Sequence, residues 1–163
     1  MLFHAHLIHS DFADQIQVPT PSWLMHEARD AWMQNARDDV TESRSQKELA
    51  AVVELLGLTY EVEHPTEDGY FSIDIALPNQ RTALEFDGPS HFMNDGANTK
   101  SAKTELRDLL LQKRGWRVVS VPYFEWIELN KKAQESGLEL AGVRRAYVKG
   151  LAVAAPGGGA SRE

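Results

Sequence analysis

Four ionisable side chains that lie close together in the sequence could carry acid–base or metal chemistry. Glu85 and Asp87 end an apolar, strand-like run, His91 follows a Gly-Pro turn, and Asp74 lies among apolar residues upstream. A carboxylate inside an apolar strand is costly to bury without a partner. Three such acids within 14 positions therefore indicate a functional site.

The spacing of the acids predicts a β-hairpin that brings two of them together. Tyr70–Leu77 and Arg81–Asp87 have strand character, and Asn79-Gln80 is a suitable two-residue turn between them. That register places Asp74 opposite Glu85, with Cβ atoms about 5 Å apart. Like charges in this position are destabilising unless a proton or a divalent cation lies between them. Mg²⁺, with Mn²⁺ as its substitute, suits such a carboxylate pair.

A metal held by Asp74 and Glu85 would suit phosphodiester cleavage, because the ion polarises a phosphate oxygen and activates a bound water. Glu48 is a candidate for an outer acid. Asp87, which shares a strand face with Glu85, would adjust the metal shell, and His91 could act as an acid, a base or a phosphate contact. Each residue also has a structural alternative. Asp74 could accept backbone N–H groups, Asp87 could close a turn, Glu48 could be solvated, and His91 could bond to loop backbone.

Composition is that of one ordinary domain with some excess length at its ends. The chain has 163 residues, of which 42% are hydrophobic and 25% charged. It has no cysteine, so a metal site would use oxygen or imidazole ligands. No apolar run approaches the roughly 20 residues that span a bilayer, so a membrane partner is not expected.

Basic residues concentrate in the second half of the chain, although the net charge is −7. Residues 1–97 hold 5 Lys and Arg against 17 Asp and Glu, whereas residues 98–163 hold 12 against 7. Lys100, Lys103, Arg107 and Arg114 share one predicted helix face, which suits a phosphate backbone. A solvated basic helix is the alternative. Tyr123 is the best candidate for an exposed ring that stacks on a base.

The pattern of elements predicts an α/β fold in the order α-β-β-β-α-β-α with a mixed central sheet. Three parts are predicted: an N-terminal arm and helix (1–44), a domain (45–152) and a flexible tail (153–163). Helices are expected at 22–37, 45–56, 99–114, 123–130 and 134–151, and strands at 58–63, 70–77, 81–87 and 116–121. In the helix before Gly115, the side chains expected to face inward are Leu106, Leu109 and Leu110.

Two sequence motifs resemble the RAP domain. They are Glu85-Phe86-Asp87-Gly88-Pro89-Ser90-His91-Phe92 and Val119-Ser120-Val121-Pro122-Tyr123-Phe124-Glu125-Trp126, with Leu109-Leu110 and Gly115-Trp116 between them. The resemblance covers roughly residues 83–151. It implies an RNA-binding module of organellar RNA-processing proteins, with a mitochondrial or chloroplast location and upstream helical repeats. The first basic residue is Arg29, so no targeting peptide is visible in this chain.

Residues 45–121 in turn resemble the PD-(D/E)XK nucleases, especially the very-short-patch repair endonucleases. This resemblance implies a restriction-endonuclease-like core. It places Glu48 at the acid of the first helix, Asp74 at the aspartate of the pattern, and Glu85-Phe86-Asp87 at its E-x-K segment. Asp87 stands where that pattern usually has lysine. A lysine would stabilise the attacking hydroxide or the developing phosphate charge, and an acid would not.

The resulting hypothesis is a RAP-like module that binds single-stranded RNA in RNA processing or stability, with Mg²⁺-dependent endoribonuclease activity as an open question. One alternative is a non-catalytic protein-interaction module of a larger RNA-processing protein. A DNA-nicking repair endonuclease is the other.

Overall fold

The computed structural model describes residues 7–8, 11, 21–38, 43–94 and 96–153. Most of the predicted N-terminal arm and the predicted tail beyond residue 153 lie outside these ranges. The described residues form five helices and four strands. In chain order they are α1 (Ser22–Asp38), α2 (Arg44–Leu55), β1 (Glu61–Pro65), β2 (Ser72–Leu77), β3 (Thr82–Asp87), α3 (Ala102–Lys113), β4 (Arg117–Pro122), α4 (Tyr123–Ser136) and α5 (Leu140–Val153).

The four strands form one mixed sheet in the order β1-β2-β3-β4. β1 and β2 are antiparallel, as are β2 and β3, whereas β3 and β4 are parallel and joined by the crossover helix α3. Two parallel strands need such a connection because the chain must return from the carboxyl end of the first strand to the amino end of the second, at the opposite end of the sheet. The predicted α/β class, the order α-β-β-β-α-β-α and the mixed sheet are confirmed.

The hairpin between β2 and β3 has the predicted register but a different turn. Ile75 pairs with Leu84 and Leu77 with Thr82, as expected. The connection is a 3₁₀ turn at Pro78–Gln80 followed by Arg81, which has a φ of 48° in the left-handed region. The predicted two-residue turn was therefore wrong, because Pro78 and Arg81 also belong to the connection, which has four residues between Leu77 and Thr82.

The two faces of the sheet pack against different helices. On the first face, Ile75, Leu84 and Val121 pack with residues of α2, α4 and α5, including Trp126. The second face packs against α3 and α1, and its core comprises Ala76, Ala83, Leu110, Leu111 and Trp116, with Trp32 of α1 against it. The sheet therefore separates two apolar layers, as expected for a buried α/β sheet.

Local signals explain where most elements begin and end. The Ser43 side chain caps α2 in a reciprocal arrangement with Gln46, and Ser101 caps α3. The predicted break at residues 131–133 was wrong, because α4 continues to Ser136 and ends at Gly137, whose φ of 65° suits a left-handed terminal glycine. β1 also begins later than predicted. In the part of the chain that the structure describes, no helix has the length and apolar character needed to cross a bilayer.

The orientation of α3 differs from the prediction at one leucine. Leu110 and Leu111 are fully buried, whereas Leu109 is 41% exposed. Leu109 was expected to face inward, but the buried stripe that starts at Thr104 continues through positions 107, 110 and 111 and leaves position 109 outside it. Arg107 is thereby turned toward the sheet.

Two leucine truncations on α3 test this orientation. Leu111→Ala is expected to lower the free energy of unfolding by about 2–5 kcal/mol, because it removes a buried side chain and leaves a cavity. Leu109→Ala, the matched control on the same helix, is expected to cost about 0.5 kcal/mol or less. Chemical denaturation of both variants measures the difference, and equal losses would contradict the helix orientation.

Candidate functional site

The two motifs that carry the sequence resemblance lie side by side at the carboxyl ends of β3 and β4. The two strands are parallel and in register up to the pair of Asp87 and Pro122. The segments that follow them are therefore adjacent in space. The Phe92 ring lies 5.9 Å from that of Tyr123 and 5.2 Å from that of Phe124, measured between centroids. All three rings are half-buried and form one aromatic group, called here the aromatic trio.

The Asp87 carboxylate lies next to the aromatic trio in the sequence motif and hydrogen-bonds to the segments that surround it. Its buried carboxylate accepts hydrogen bonds from His91 Nδ1 at 2.8 Å, from Lys100 Nζ at 2.9 Å and from the Ser120 hydroxyl. Burial alone would raise the pKa of Asp87, but these three donors lower it to about 2. The carboxylate is therefore charged at any physiological pH.

The turn after β3 positions His91 over Asp87. Residues Pro89–His91 form a 3₁₀ turn, and Phe92 pairs with Lys100 in an antiparallel bridge that closes the loop. The His91 carbonyl accepts from the Ser101 N–H at 2.8 Å and from the Thr104 hydroxyl at 3.1 Å. The imidazole side chain remains 37% exposed. The loop is thus closed and anchored to the start of α3, with one edge of a histidine ring facing solvent.

Glu85 and Asp74 are close to each other, as predicted, but the guanidinium of Arg107 lies beside Glu85. Arg107 donates to Glu85 Oε2 and to the Ser72 carbonyl. The Asp74 carboxylate accepts from the Phe86 N–H at 2.8 Å, which is the structural alternative proposed for it. Burial raises the pKa of Glu85 to about 8, since Arg107 offsets only part of the desolvation and the charge of Asp74 adds to it.

Glu48 is not brought to the other acids. It lies on α2 and accepts from Trp126 Nε1 at 3.3 Å and from Arg144 at 2.9 Å, on the first face of the sheet. Glu85 points to α3 on the second face. Partial burial raises the pKa of Glu48, but the Trp126 hydrogen bond and the Arg144 charge hold it below its usual value. The sheet therefore lies between Glu48 and Glu85.

Three of the four predicted phosphate-binding cations form ion pairs within the protein. Lys100 bridges Asp87 and Asp108, Arg107 pairs with Glu85, and Arg114 with Asp11 and Asp68. Lys103 is exposed and forms no ion pair with another described residue. Of the four cations predicted to bind phosphate from one helix face, three are therefore used in ion pairs within the protein, and Lys103 faces solvent. Tyr123, predicted as an exposed ring, is half-buried in the aromatic trio.

The donor set does not fit the predicted Mg²⁺ or Mn²⁺ site. Among the residues that the structure describes, no group of three or more His, Asp or Glu side chains is arranged to hold a metal ion. Asp74 and Glu85 are adjacent, but the Arg107 guanidinium occupies one oxygen of Glu85. A hard divalent cation needs a nearly complete oxygen shell, and a neighbouring guanidinium repels it.

Two partners of the site were missed in the sequence. Ser120 is the one polar residue of β4 after Arg117, and alternation places it on the face of Asp87. Asp108 follows Arg107 on α3 and receives Lys100 Nζ at 2.6 Å. The lone serine was a readable signal, because a hydroxyl within a buried strand needs a partner. The pairing of Lys100 with Asp108 depends on the loop geometry and had no such signal.

Removing the charge of Asp87 tests its role as an anchor. Asp87→Asn is expected to cost about 1–3 kcal/mol of unfolding free energy at pH 7, because buried donors lose their acceptor. The folded pKa is lowered, so the stabilisation is present above the unfolded pKa of 3.8 and is lost as pH falls toward about 2. Thermal unfolding between pH 2.5 and pH 7 measures it. The exposed Glu54→Gln is the control, and a pH-independent loss would contradict the assignment.

Comparisons with known proteins agree with the motifs. Residues 84–138 match the RAP domain family. A rice (Oryza sativa subsp. japonica) protein named "RAP domain-containing protein, chloroplastic" is 31% identical over 93 residues, which are 57% of this chain and only 14% of that protein. The catalytic domain of homing endonuclease I-Bth0305I is similar over 58% of this chain and 91% of its own, with 18% identity and a TM-score of 0.40. The resemblance to the RAP domain is confirmed for residues 84–138.

Proposed function

We propose that this chain is an RNA-binding module that holds single-stranded RNA at the carboxyl ends of β3 and β4. The observation that carries the proposal is the meeting of the two RAP motifs there, with Asp87 in register with Pro122. Open α/β sheets bind ligands in the crevice outside the carboxyl ends of their strands. Both motifs would thus contribute to one RNA-binding surface.

The chemistry of this surface suits unpaired RNA. Half-buried rings of the aromatic trio offer faces and edges for base stacking, which every base can use. The Lys103 ammonium and the exposed edge of His91 would contact phosphate oxygens. Lys100 would not contact the RNA directly, because its ammonium group is paired with both Asp87 and Asp108. Sequence-independent binding of a short stretch of RNA is what such a surface supports.

A role in organellar RNA processing or stability is part of the proposal. The name of the rice relative, which includes "chloroplastic", supports an organelle, and a mitochondrial location is equally compatible with the family resemblance. The matched region is only 14% of that relative. We propose that the choice of RNA target comes from a separate region or partner, such as upstream helical repeats, because the described residues place few exposed cations at this surface.

A charge reversal at Lys103 tests the RNA surface. Lys103→Glu is expected to weaken binding of a labelled single-stranded RNA about fivefold to tenfold, or about 1–1.4 kcal/mol. The log–log salt slope should fall in magnitude by roughly 0.7, the contribution of one phosphate contact. Lys132→Glu makes the same charge change at an exposed position of α4 and should leave affinity within about twofold. Equal losses in the two variants would point to overall charge rather than this surface.

Cleavage is tested with the same RNA in Mg²⁺ or Mn²⁺. Because the donor set does not fit a divalent ion, we expect the wild type, Asp74→Asn and Glu85→Gln to bind the RNA and leave it uncut. Denaturing gels measure the products. Metal-dependent cleavage by the wild type that is lost in both variants would instead establish an endoribonuclease with these acids at its centre. RNA that neither binds nor is cut would favour the protein-interaction alternative.

A further inference from the structure

A cleft of about 610 Å³ lies between α2, α4 and α5, on the first face of the sheet. Its volume falls within the roughly 300–1,000 Å³ of sites that bind small ligands, and its walls combine apolar side chains with a few polar groups, as such sites do. We call it the first-face cleft. Its lining includes Arg44, Glu48, Ile127, Asn130, Leu138 and Arg144.

The charged side chains of the first-face cleft leave an excess of positive charge. Glu48 accepts from Arg44 Nε at 3.1 Å and from Arg144 Nη2 at 2.9 Å, and the remaining lining residues are uncharged. One carboxylate therefore faces two guanidinium groups. The excess charge favours a ligand that carries an anionic group, such as a phosphate.

The Arg144 guanidinium is fixed in position and retains an unused donor. It lies over the Trp126 ring at 4.5 Å from the centroid, and it donates to Asn130 Oδ1 at 3.2 Å. The side chain is 12% exposed. Its Nε is buried and has no hydrogen-bond partner among the described residues. Planar guanidinium groups stack on bases and donate to their edges, so this arrangement suits a nucleobase.

Ile127 connects the first-face cleft with the aromatic trio. It follows Tyr123 by four positions and Phe124 by three, so the three side chains are neighbours on α4. Ile127 is 58% exposed, and Leu138, which also lines the cleft, is 61% exposed. Contiguous exposed apolar surface of this kind marks binding grooves. An apolar path therefore leads from the aromatic trio into the cleft.

The course of α2 places Arg44 at the same end of the sheet as the aromatic trio. The last turn of α2 lies near the turn between β2 and β3, because Leu55 and Gln80 line a common pocket. α2 therefore begins toward the other end of β3, which is its carboxyl end. The contacts of Trp126 with both Phe86 and Glu48 agree with this direction.

We propose that the first-face cleft accepts one unpaired base of the RNA strand that the aromatic trio holds. The base lies against Ile127 and Leu138, Arg144 hydrogen-bonds to its edge, and Arg44 contacts a neighbouring phosphate. The inference rests on the proposed RNA binding and adds a second site to it. An acidic peptide would suit the same charge, but the apolar path from the aromatic trio favours RNA.

A charge placed in the cleft tests this proposal. Ile127→Asp is expected to weaken binding of a labelled single-stranded RNA of about eight nucleotides roughly tenfold, because it removes an apolar contact and repels phosphate. Leu55→Asp makes the same change at an equally exposed side chain outside the cleft, and it should leave affinity within about twofold. Both variants should keep the wild-type Tm within a few degrees, because both positions are exposed.

The length of the RNA separates this inference from the proposed function. Extending the RNA from about four to about eight nucleotides should strengthen wild-type binding about tenfold, and Ile127→Asp should lose this gain while Leu55→Asp keeps it. Lys103→Glu should weaken binding of both lengths. If Lys103→Glu weakens binding but Ile127→Asp behaves like Leu55→Asp, the cleft is overturned as an RNA site and becomes a candidate for an acidic peptide, while the proposed function stands. If the wild type binds neither RNA, both proposals fail.

Discussion

The buried carboxylate of Asp87 is the interaction on which the functional surface depends. A charged group away from water is tolerated only when hydrogen-bond donors replace the water that it has lost. The three donors of Asp87 come from three separate segments, which are the turn after β3, the approach to α3, and β4. Each segment is thereby tied to the same two oxygens. The rings of the aromatic trio directly follow two of these segments, the turn after β3 and β4, and are positioned with them.

Two carboxylates on one strand face have opposite protonation behaviour. Asp87 has a pKa of about 2, whereas that of Glu85 is about 8, although they are two residues apart. Both are buried, so desolvation acts on each of them. The difference arises because Asp87 has three donors, while Glu85 shares one guanidinium with neighbouring acids. Deeper burial and fewer donors together raise the pKa of Glu85, whereas three donors lower that of Asp87.

Much of the fold could be predicted because its signals are local. The hairpin register was predicted correctly although its turn was not, and Gly115 marked the end of α3. The residues of the candidate site were harder to predict from the sequence. Arg107 and Lys103 both looked like surface cations, and only the rotation of α3 about its axis separates them. Glu48 followed the nuclease pattern, yet Trp126 and Arg144, which are distant in sequence, hold it on the other face. Partners that are so distant in sequence cannot be predicted from the local spacing of residues.

The parallel pairing of β3 with β4 has a consequence for how the molecule assembles. β1, β2 and β3 are neighbours in sequence and can pair as soon as they leave the ribosome, whereas β4 follows only after the crossover helix. Pairings across long loops form late and slowly. Until β4 docks, Asp87 lacks the Ser120 hydroxyl and stays hydrated at an open strand edge. The aromatic trio can form only once β4 lies beside β3, because Tyr123 and Phe124 directly follow β4 and Phe92 follows β3.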